Sequence, residues 1–152
     1  MEIGNDFFAG PDFYLSTSRY SKVSIGDAVM FGPSVMILGG NHDYSYSKAH
    51  MRFNQEEDKK AKDIVIDSGS WVGAGSVVLS GASVGEGAVI GACSVVNKEV
   101  PPYCVAVGNR FRVIGPRFES ISELEACLEN TLSSYSIKDI LGIYEQCGFI
   151  LK

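Results

Sequence analysis

The sequence predicts a mainly β fold, a three-sided solenoid of six-residue units followed by a C-terminal helical segment. Three observations support this fold class: an aliphatic residue recurs at every sixth position, small residues form a second column beside it, and helical signals replace the pattern after about residue 117. An α-helix repeats about every 3.6 residues and a flat strand about every two, so a period of six fits neither alone. A coil built from one short strand and one corner per unit has this period.

The repeat is clearest in the centre of the chain. Every sixth residue from Ile66 to Val96 is Ile or Val. Because these two types make up roughly a fifth of the chain, a chance run of six has a probability on the order of 0.2 to the sixth power. The aliphatic column is Ile66, Val72, Val78, Val84, Ile90 and Val96, and the small column is Ser70, Ser76, Ala82, Ala88 and Ser94.

Each unit is interpreted as a short strand and a tight corner. The strand points one β-branched side chain inward, and glycine after the aliphatic residue, as at Gly73 and Gly91, permits the backbone conformations that a corner needs. Three units make a triangular coil, and coils stack at the strand spacing of ~4.8 Å. We therefore expect Ile66 to lie beside Val84 in a continuous apolar ladder.

The same phase continues upstream in two further coils. The spacing between them is irregular, which predicts a distorted first coil. The inward positions are Ile3, Ala9 and Leu15 for the first coil, and Ile25, Phe31 and Ile37 for the second.

A polar excursion separates the second coil from Ile66. It runs from about residue 41 to 63 and breaks the register. Loops of this length inside a compact domain are usually functional or disordered. Its mixed-charge run, EEDKKAKD, is interpreted as a solvated loop.

The pattern changes after Val100. The stretch PPYCVAVGNRFRVIG predicts a last, partial coil that leaves the stack. The expected organisation is a β-helix domain over residues 1–117 and a helical cap over residues 118–152, because an open solenoid end exposes unpaired strand edges.

Two helices are predicted in the cap. Ser120 and Glu123 have the spacing of a capping box, Ser136 and Asp139 repeat it, and Gly148 ends the second helix. The first helix should bury one apolar stripe. That stripe is Leu124, Leu128 and Leu132.

Composition excludes several classes of protein. A net charge of -5 argues against broad electrostatic attraction to nucleic acid or to an anionic membrane. No apolar run reaches the length of a spanning helix, and MEIGNDFF is not a signal peptide. The four cysteines form no CxxC pair and no zinc-like cluster, so we expect reduced thiols in a cytoplasmic protein, used as small buried apolar residues.

Three stretches resemble the hexapeptide-repeat acyltransferases, in particular the maltose, galactoside and xenobiotic (chloramphenicol-type) acetyltransferases and the polysaccharide O-acetyltransferases. VSIGDAVMFGPSVMI resembles the coil before that family's active-site loop, and GSWVGAGSVVL the coil after it. VIGACSVVNKEVPPYCVAVGNRFRVI is similar to the terminal signature. The resemblance covers about residues 3–117 and implies a left-handed parallel β-helix, an exception to the usual right-handed crossover.

The resemblance places a catalytic histidine at His42, in LGGNHDYS, where the excursion leaves the coil. An imidazole has a pKa near operating pH and can take a proton from a sugar hydroxyl as that oxygen attacks a thioester. A backbone N–H of the following coil would stabilise the oxyanion. His50 has no matching role and is expected to be a solvated loop residue.

A metal enzyme is the alternative that the fold raises. The γ-class carbonic anhydrases share this architecture and bind zinc through three histidines. This chain has two histidines, and no other cluster supplies a third nitrogen. No metal is therefore expected.

The resemblance implies acetyl-CoA as the co-substrate. Its phosphates need a local positive zone in an acidic protein, and residues 98–117 hold four basic residues, one of them Arg117, against one acid, Glu99. On matching positions, Trp71 would pack on the cofactor, and Ala74 and Ala92 would offer backbone groups to its pantetheine arm. Lys98 and Arg112 would meet the phosphates, and Asn97 and Arg110 are expected as further cofactor-binding residues.

The chain departs from the family where the acceptor binds. The maltose and galactoside enzymes read FFANYN near the start, where an asparagine contacts the acceptor sugar. This chain reads FFAGPDF, so Asp12 stands at a position expected to contact the acceptor. Asn41 is the second expected acceptor contact. Asn97 replaces the threonine that precedes the lysine of the terminal signature. GGNH rather than AGH favours polysaccharide or antibiotic-type members. The expected function is O-acetylation of a sugar hydroxyl, on a surface polysaccharide or its precursor.

Three alternatives stay open. The chain could be an N-acetyltransferase of a nucleotide-linked amino sugar, an acetyltransferase of an antibiotic, or a non-catalytic solenoid that binds a ligand. The resemblance also implies a homotrimer in which His42 of one chain faces the cofactor zone of the next. No nucleic acid partner and no membrane span are expected.

Overall fold

The computed structural model of the protein describes residues 1–54 and 61–151. Short strands fill the first three quarters of this part of the chain, and two helices follow. The strands are β1 Glu2–Ile3, β2 Phe8–Ala9, β3 Tyr14–Ser16, β4 Val23–Ile25, β5 Met30–Phe31, β6 Met36–Leu38, β7 Ile64–Ile66, β8 Trp71–Val72, β9 Val77–Leu79, β10 Ser83–Val84, β11 Val89–Ile90, β12 Val95–Val96, β13 Glu99–Val100, β14 Cys104–Val107 and β15 Arg112–Pro116; the helices are α1 Ile121–Asn130 and α2 Ile137–Gln146.

The strands form three sheets that make the sides of a prism. Sheet A has the order β1-β4-β7-β10-β13, sheet B β2-β5-β8-β11-β14-β15 and sheet C β3-β6-β9-β12. Each corner is named here by the sheets it joins, so that the chain passes the AB, BC and CA corners in turn. This architecture is the left-handed parallel β-helix that the resemblance predicts.

The predicted ladder is confirmed. Ile66 pairs with Val84 in the parallel register of sheet A, and both side chains are fully buried. The corresponding pairs in sheets B and C are also eighteen residues apart and buried. They are Val72 with Ile90 and Val78 with Val96.

The small column lies at the corners and is buried as well. Two of its serine hydroxyls are satisfied locally, since Ser70 Oγ donates to the Asp67 carbonyl at 2.8 Å and Ser94 Oγ to the Gly91 carbonyl at 2.6 Å. Ser76 Oγ donates at 3.1 Å to the Gly91 carbonyl of the next coil. The members are Ser70, Ser76, Ala82, Ala88 and Ser94.

The glycines at the corners have a different role from the predicted one. Where glycine follows an inward residue it has an ordinary φ, and it is required because the next coil passes too close for a side chain. A Cβ at Gly73 would lie 2.6 Å from the backbone nitrogen of Ala92. The left-handed φ falls two positions later, as at Gly75 (+66°). Non-glycine residues also adopt it at equivalent corners, among them Ala28, Ser34 and Cys93.

The first coil is distorted, as predicted. Ile3 pairs with Ile25, twenty-two residues further along the chain, so this coil holds four residues more than a regular one. The extra residues form a turn in which Ser18 and Ser21 exchange backbone hydrogen bonds of 3.4 Å.

The excursion leaves and rejoins the prism at the CA corner. Ile25 pairs with Ile66, so the second and third coils keep their register across an offset of forty-one residues. The described part of the excursion contains a single 3₁₀ turn, Met51–Phe53. The run EEDKKAKD lies largely outside the described residues.

The fourth coil is shorter than the others, and a partial fifth coil ends the stack. Val84 pairs with Val100, only sixteen residues later. The chain then turns back, and β15 pairs with β14 in the antiparallel sense, with Cys104 opposite Pro116. The partial coil is confirmed, whereas the antiparallel return has no signal in the hexad.

Both predicted helices begin at their capping boxes. Ser120 and Ser136 accept hydrogen bonds from the backbone of Glu123 and Asp139, whose side chains bond back to the cap nitrogens. Leu124 and Leu128 are buried, but the place predicted for Leu132 on the same stripe is wrong. The helix ends at Asn130, and Leu132 lies beyond it with a φ of +52° and 91% exposure.

The four cysteines are all free, but their expected burial holds for only some of them. Cys104 is buried in the core, and Cys127 is half-buried. Cys93 and Cys147 are exposed, so the interpretation as small buried residues is wrong for these two. Cys93 occupies a corner with a left-handed φ, where the side chain points away from the prism.

Candidate active site

His42 lies at the CA corner of the second coil. β6 ends at Leu38, Gly39 and Gly40 lead the chain out of the coil, and His42 follows on the surface. Asn41 Oδ1 accepts a 3.0 Å hydrogen bond from the backbone N–H of His42. The exposed imidazole therefore stands where the excursion begins and is accessible to a molecule bound against this corner.

His50 has a different setting on the same excursion. It precedes the 3₁₀ turn Met51–Phe53 and is exposed. Its ring lies 6.3 Å from that of Phe53, with an angle of 61° between the planes. Nothing in this arrangement gives it a catalytic partner among the described residues.

Trp71 lies on the outer face of sheet B. It pairs with Met30 of the second coil and with Val89 of the fourth, whose outward side chains flank it. The indole is 47% exposed. A flat apolar surface of this kind can pack against the arm or the ring of a ligand.

Ala74 and Ala92 lie one above the other at the BC corner. The Ala74 carbonyl accepts a 2.9 Å hydrogen bond from the Cys93 N–H, which links the third and fourth coils. Among residues 1–54 and 61–151, no acceptor is found for the N–H group of Ala74 or Ala92. Both donors are thus free for the carbonyl groups of a ligand lying along this corner.

The basic residues lie at two places near the end of the prism. Arg110 and Arg112 are exposed around the turn between β14 and β15. The Gly108 N–H donates to Ser94 Oγ at 2.9 Å and holds this turn over the BC corner. Asn97 and Lys98 are exposed at the CA corner, between β12 and β13.

Arg117 does not join this positive zone. Its guanidinium donates a 3.0 Å hydrogen bond to the Gly87 carbonyl and lies 5.0 Å from the ring of Phe118. These contacts place Arg117 at the AB corner, where it fixes the start of the helical segment.

One chain holds the candidate residues in two separate groups. Sheet C lies between them, and a three-residue strand such as β6 spans about 10 Å. No hydrogen bond between the groups is found in the described part of the chain. Along sheet B and the BC corner are Asp12, Trp71, Ala74, Ala92, Arg110 and Arg112, and along the CA corner are Asn41, His42, Asn97 and Lys98.

A further depression lies at the AB corner beside the helices. Its volume is about 700 Å³, and its walls include Asp67, Glu86 and Tyr135. Burial raises the pKa of Asp67, and the nearby Glu86 carboxylate raises it further. Burial also acts to raise the pKa of Glu86, but hydrogen bonds from Ser133, Tyr103 and Ser134 outweigh it and hold that pKa below its ordinary value.

Sequence reasoning did not single out this acidic corner. Asp67 and Glu86 each follow an inward aliphatic residue by one or two positions, where polar residues are common in such repeats. Their places in successive coils are not equivalent, since Asp67 corresponds to Gly85 and Glu86 to Ser68, so the hexad carries no signal for the pair. The corner lies across the prism from the strands of sheet C, which lead to His42.

The described residues form neither a metal cluster nor a membrane-spanning helix. No group of three or more His, Cys, Asp or Glu side chains is placed to hold a metal ion within residues 1–54 and 61–151. No helix in the same ranges is both long and apolar enough to cross a membrane.

Comparison with known proteins identifies the repeat. The family described as bacterial transferase hexapeptide (six repeats) matches residues 63–98. The galactoside O-acetyltransferase of Escherichia coli K12 is 32% identical over 114 residues, which are 75% of this chain and 53% of that protein. The chloramphenicol acetyltransferase of Klebsiella aerogenes is 32% identical over 79% of this chain and 60% of its own length. The chain thus spans about half to three fifths of these relatives.

Solved structures agree with the sequence comparison. A hexapeptide-repeat acetyltransferase from Vibrio cholerae, complexed with acetyl coenzyme A, matches with a TM-score of 0.60 and 26% identity over 76% of this chain and 70% of that one. A maltose O-acetyltransferase from Clostridium difficile matches with a TM-score of 0.55 and 32% identity over 76% of this chain and 66% of that one.

Proposed function

Because the chain belongs to the hexapeptide-repeat acetyltransferase family, we propose that it transfers an acetyl group from acetyl-CoA to a hydroxyl of a sugar, on a surface polysaccharide or its precursor. The observation that carries the proposal is the position of His42. Its imidazole lies at the corner where the excursion leaves the coil, and it is exposed.

His42 acts as the general base in this proposal. The imidazole takes the proton of the acceptor hydroxyl while that oxygen forms a bond to the thioester carbon, and the carbon–sulfur bond breaks as the thiolate of CoA leaves. The proton then passes from the imidazolium to the thiolate. No nucleophilic side chain is required, and a backbone N–H would stabilise the charge on the carbonyl oxygen.

The BC corner is the proposed seat of the pantetheine arm. The free N–H groups of Ala74 and Ala92 face carbonyl groups of the arm, and Trp71 packs beside it. Arg110 and Arg112, exposed at the end of the same corner, approach the phosphates. The acetyl coenzyme A complex of the Vibrio cholerae relative supports a co-substrate of this kind.

A homotrimer would bring the two groups together. In this arrangement the CA corner of one copy, with His42, Asn97 and Lys98, lies against the BC corner of the next. The outer surfaces of the sheets favour it. Sheet A presents Glu2, Ser24, Ser83 and Glu99 among its outward residues, whereas sheets B and C present Phe8, Met30, Trp71, Tyr14 and Met36.

Asp12, at the BC corner of the first coil, and Asn41 are the proposed acceptor contacts. A cytoplasmic location is supported by the four free cysteines, which suit a reducing compartment.

The test uses the two histidines as a matched pair. We expect His42→Ala to lower acetyl transfer by ~10²–10⁴-fold and His50→Ala to leave it within about twofold. Transfer is measured with acetyl-CoA against a panel of a galactoside, maltose, chloramphenicol and a nucleotide-linked amino sugar. CoA binding is followed by the emission of Trp71, the one tryptophan of the chain.

The outcomes separate the alternatives. Preferred transfer to the amino sugar or to chloramphenicol would replace the sugar-hydroxyl acceptor. Undiminished turnover in His42→Ala would remove the proposed base. Failure of the wild-type chain to bind CoA would indicate a solenoid without catalytic function.

A further inference from the structure

We propose that the turn of residues 16–22, which contains the four extra residues of the first coil, is a clamp that positions His42 by holding both ends of the excursion. It is called the clamp turn below. The inference rests on the proposed role of His42 as the base.

The outgoing end of the excursion is packed tightly against the clamp turn. The Gly39 N–H donates a 2.8 Å hydrogen bond to the Ser16 carbonyl. Gly40 has a φ of +83°, and a Cβ there would lie 2.7 Å from Ser18 Cβ and 3.0 Å from Ser18 Oγ. Glycine is the residue that satisfies both the conformation and the close approach at this position.

The returning end is held by hydrogen bonds from the same turn. Ser21, which is fully buried, donates from Oγ to the Lys62 carbonyl at 2.7 Å. The Lys22 N–H donates to Asp63 Oδ1, and the Ile64 N–H donates to the Lys22 carbonyl, both at 2.8 Å. The two ends of the excursion are thus fixed to one short piece of the first coil.

The clamp matters for the reaction because His42 is two residues beyond Gly40. The contact between Gly40 and Ser18 sets the direction in which the chain leaves the coil, and hence where the imidazole stands. A displacement of about 1 Å at a reacting group can lower a rate by about 100-fold. The clamp turn is therefore a positioning element, which acts through His42 and touches no substrate.

The experiment introduces a steric clash at Gly40 and then relieves it at Ser18. Gly40→Ala introduces the Cβ that meets Ser18, and the double variant Gly40→Ala with Ser18→Gly removes both opposing side-chain atoms. Gly69→Ala is the control, because Gly69 also has a left-handed φ (+67°) but has no atom within 4 Å of a built Cβ. Ser18→Gly alone gives the baseline for the rescue.

We expect Gly40→Ala to lower kcat by about 10- to 100-fold with the KM for acetyl-CoA changed less than about twofold. The double variant should recover most of the lost kcat, and Gly69→Ala should keep the wild-type kcat. Hydrogen exchange of the Gly39 and Ile64 amides, measured by NMR, should speed up in Gly40→Ala and slow again in the double variant. This second readout needs no acceptor.

The outcomes distinguish a wrong proposal about the clamp turn from a wrong proposal about the function. Full turnover in His42→Ala removes the base, and the exchange rates then decide on the clamp alone. Loss of turnover in His42→Ala together with normal kcat and normal exchange in Gly40→Ala disproves the clamp. Absence of rescue by Ser18→Gly also disproves it, because the contact would then not be the cause.

Discussion

The hydroxyl of Tyr103 donates a hydrogen bond of 2.6 Å to Oε1 of Glu86, across the AB corner from one coil to the next. Ser134 Oγ donates to Oε2 of the same carboxylate at 2.8 Å, and Ser133 Oγ also bonds to it. One carboxylate thus joins the fourth coil, the fifth coil and the turn between the two helices.

Replacement of Glu86 should loosen the helical segment. We expect Glu86→Gln to lower the free energy of unfolding by about 1–2 kcal/mol at pH 7, because three hydroxyls lose a charged acceptor. Urea unfolding at one fixed protein concentration measures the difference. Glu99→Gln, an exposed residue of sheet A, is the control and should stay within about 0.5 kcal/mol of the wild type.

The effect of Glu86 should depend on pH in a defined sense. Its pKa is lower in the folded chain than in the unfolded one, so the stabilisation is present above the unfolded value and is lost as the pH falls through the folded value. The difference in free energy of unfolding between the wild type and Glu86→Gln should therefore disappear below about pH 4. A difference that stays constant down to pH 3 would contradict this account.

Replacement of Asp67 should have the opposite effect on stability. Its pKa is raised by burial and by Glu86, so its ionised form costs stability at neutral pH. We expect Asp67→Asn to stabilise the chain at pH 7 by less than about 1 kcal/mol and to give no gain near pH 3. Asp27→Asn is the matched control, since the Asp27 carboxylate accepts hydrogen bonds from Asn5 at 2.5 and 3.2 Å and its replacement should destabilise. Thermal unfolding at both pH values measures these differences, and a loss of stability in Asp67→Asn at pH 7 would contradict the sign.

The outer face of sheet C gives a test of the proposed trimer. Met36 lies there between Tyr14 and Val77, and it is 38% exposed in one chain. We expect Met36→Lys to abolish the trimer, because a lysine at a chain–chain contact would be buried without a partner. Ser24→Lys, on the outer face of sheet A, should leave it intact.

Light scattering coupled to size-exclusion chromatography measures the mass of both variants, and circular dichroism checks that each still folds. A trimer of unchanged mass in Met36→Lys would show that sheet C does not form the interface.

The prism could be predicted because its rule is local and repeated. Each inward residue from Ile66 to Val96 carries the same requirement, so the register of eighteen follows from the spacing alone. The capping boxes at Ser120 and Ser136 are equally local, since the residues that satisfy each other lie three positions apart.

The remaining features depend on contacts between distant segments. Glu86 accepts hydrogen bonds from Ser133 and Ser134 because the helices pack on the AB corner, and no spacing in the sequence predicts these bonds. The role of Gly73 was assigned to turn conformation, while the cause is the approach of Ala92 from the next coil. The candidate site was found by resemblance, because its two groups lie on different corners of the prism and no spacing in the sequence links them.

The excursion is inserted without disturbing the prism. Ile25 and Ile66 pair as neighbours although forty-one positions separate them, against eighteen in a regular coil, so twenty-three residues have been added at one corner with no change of phase. The entropy of closing a longer loop grows slowly, by about 0.6 kcal/mol per doubling of length. A segment of another length can therefore replace the excursion at this corner while the pairing of Ile25 with Ile66, and with it the register of the prism, stays the same.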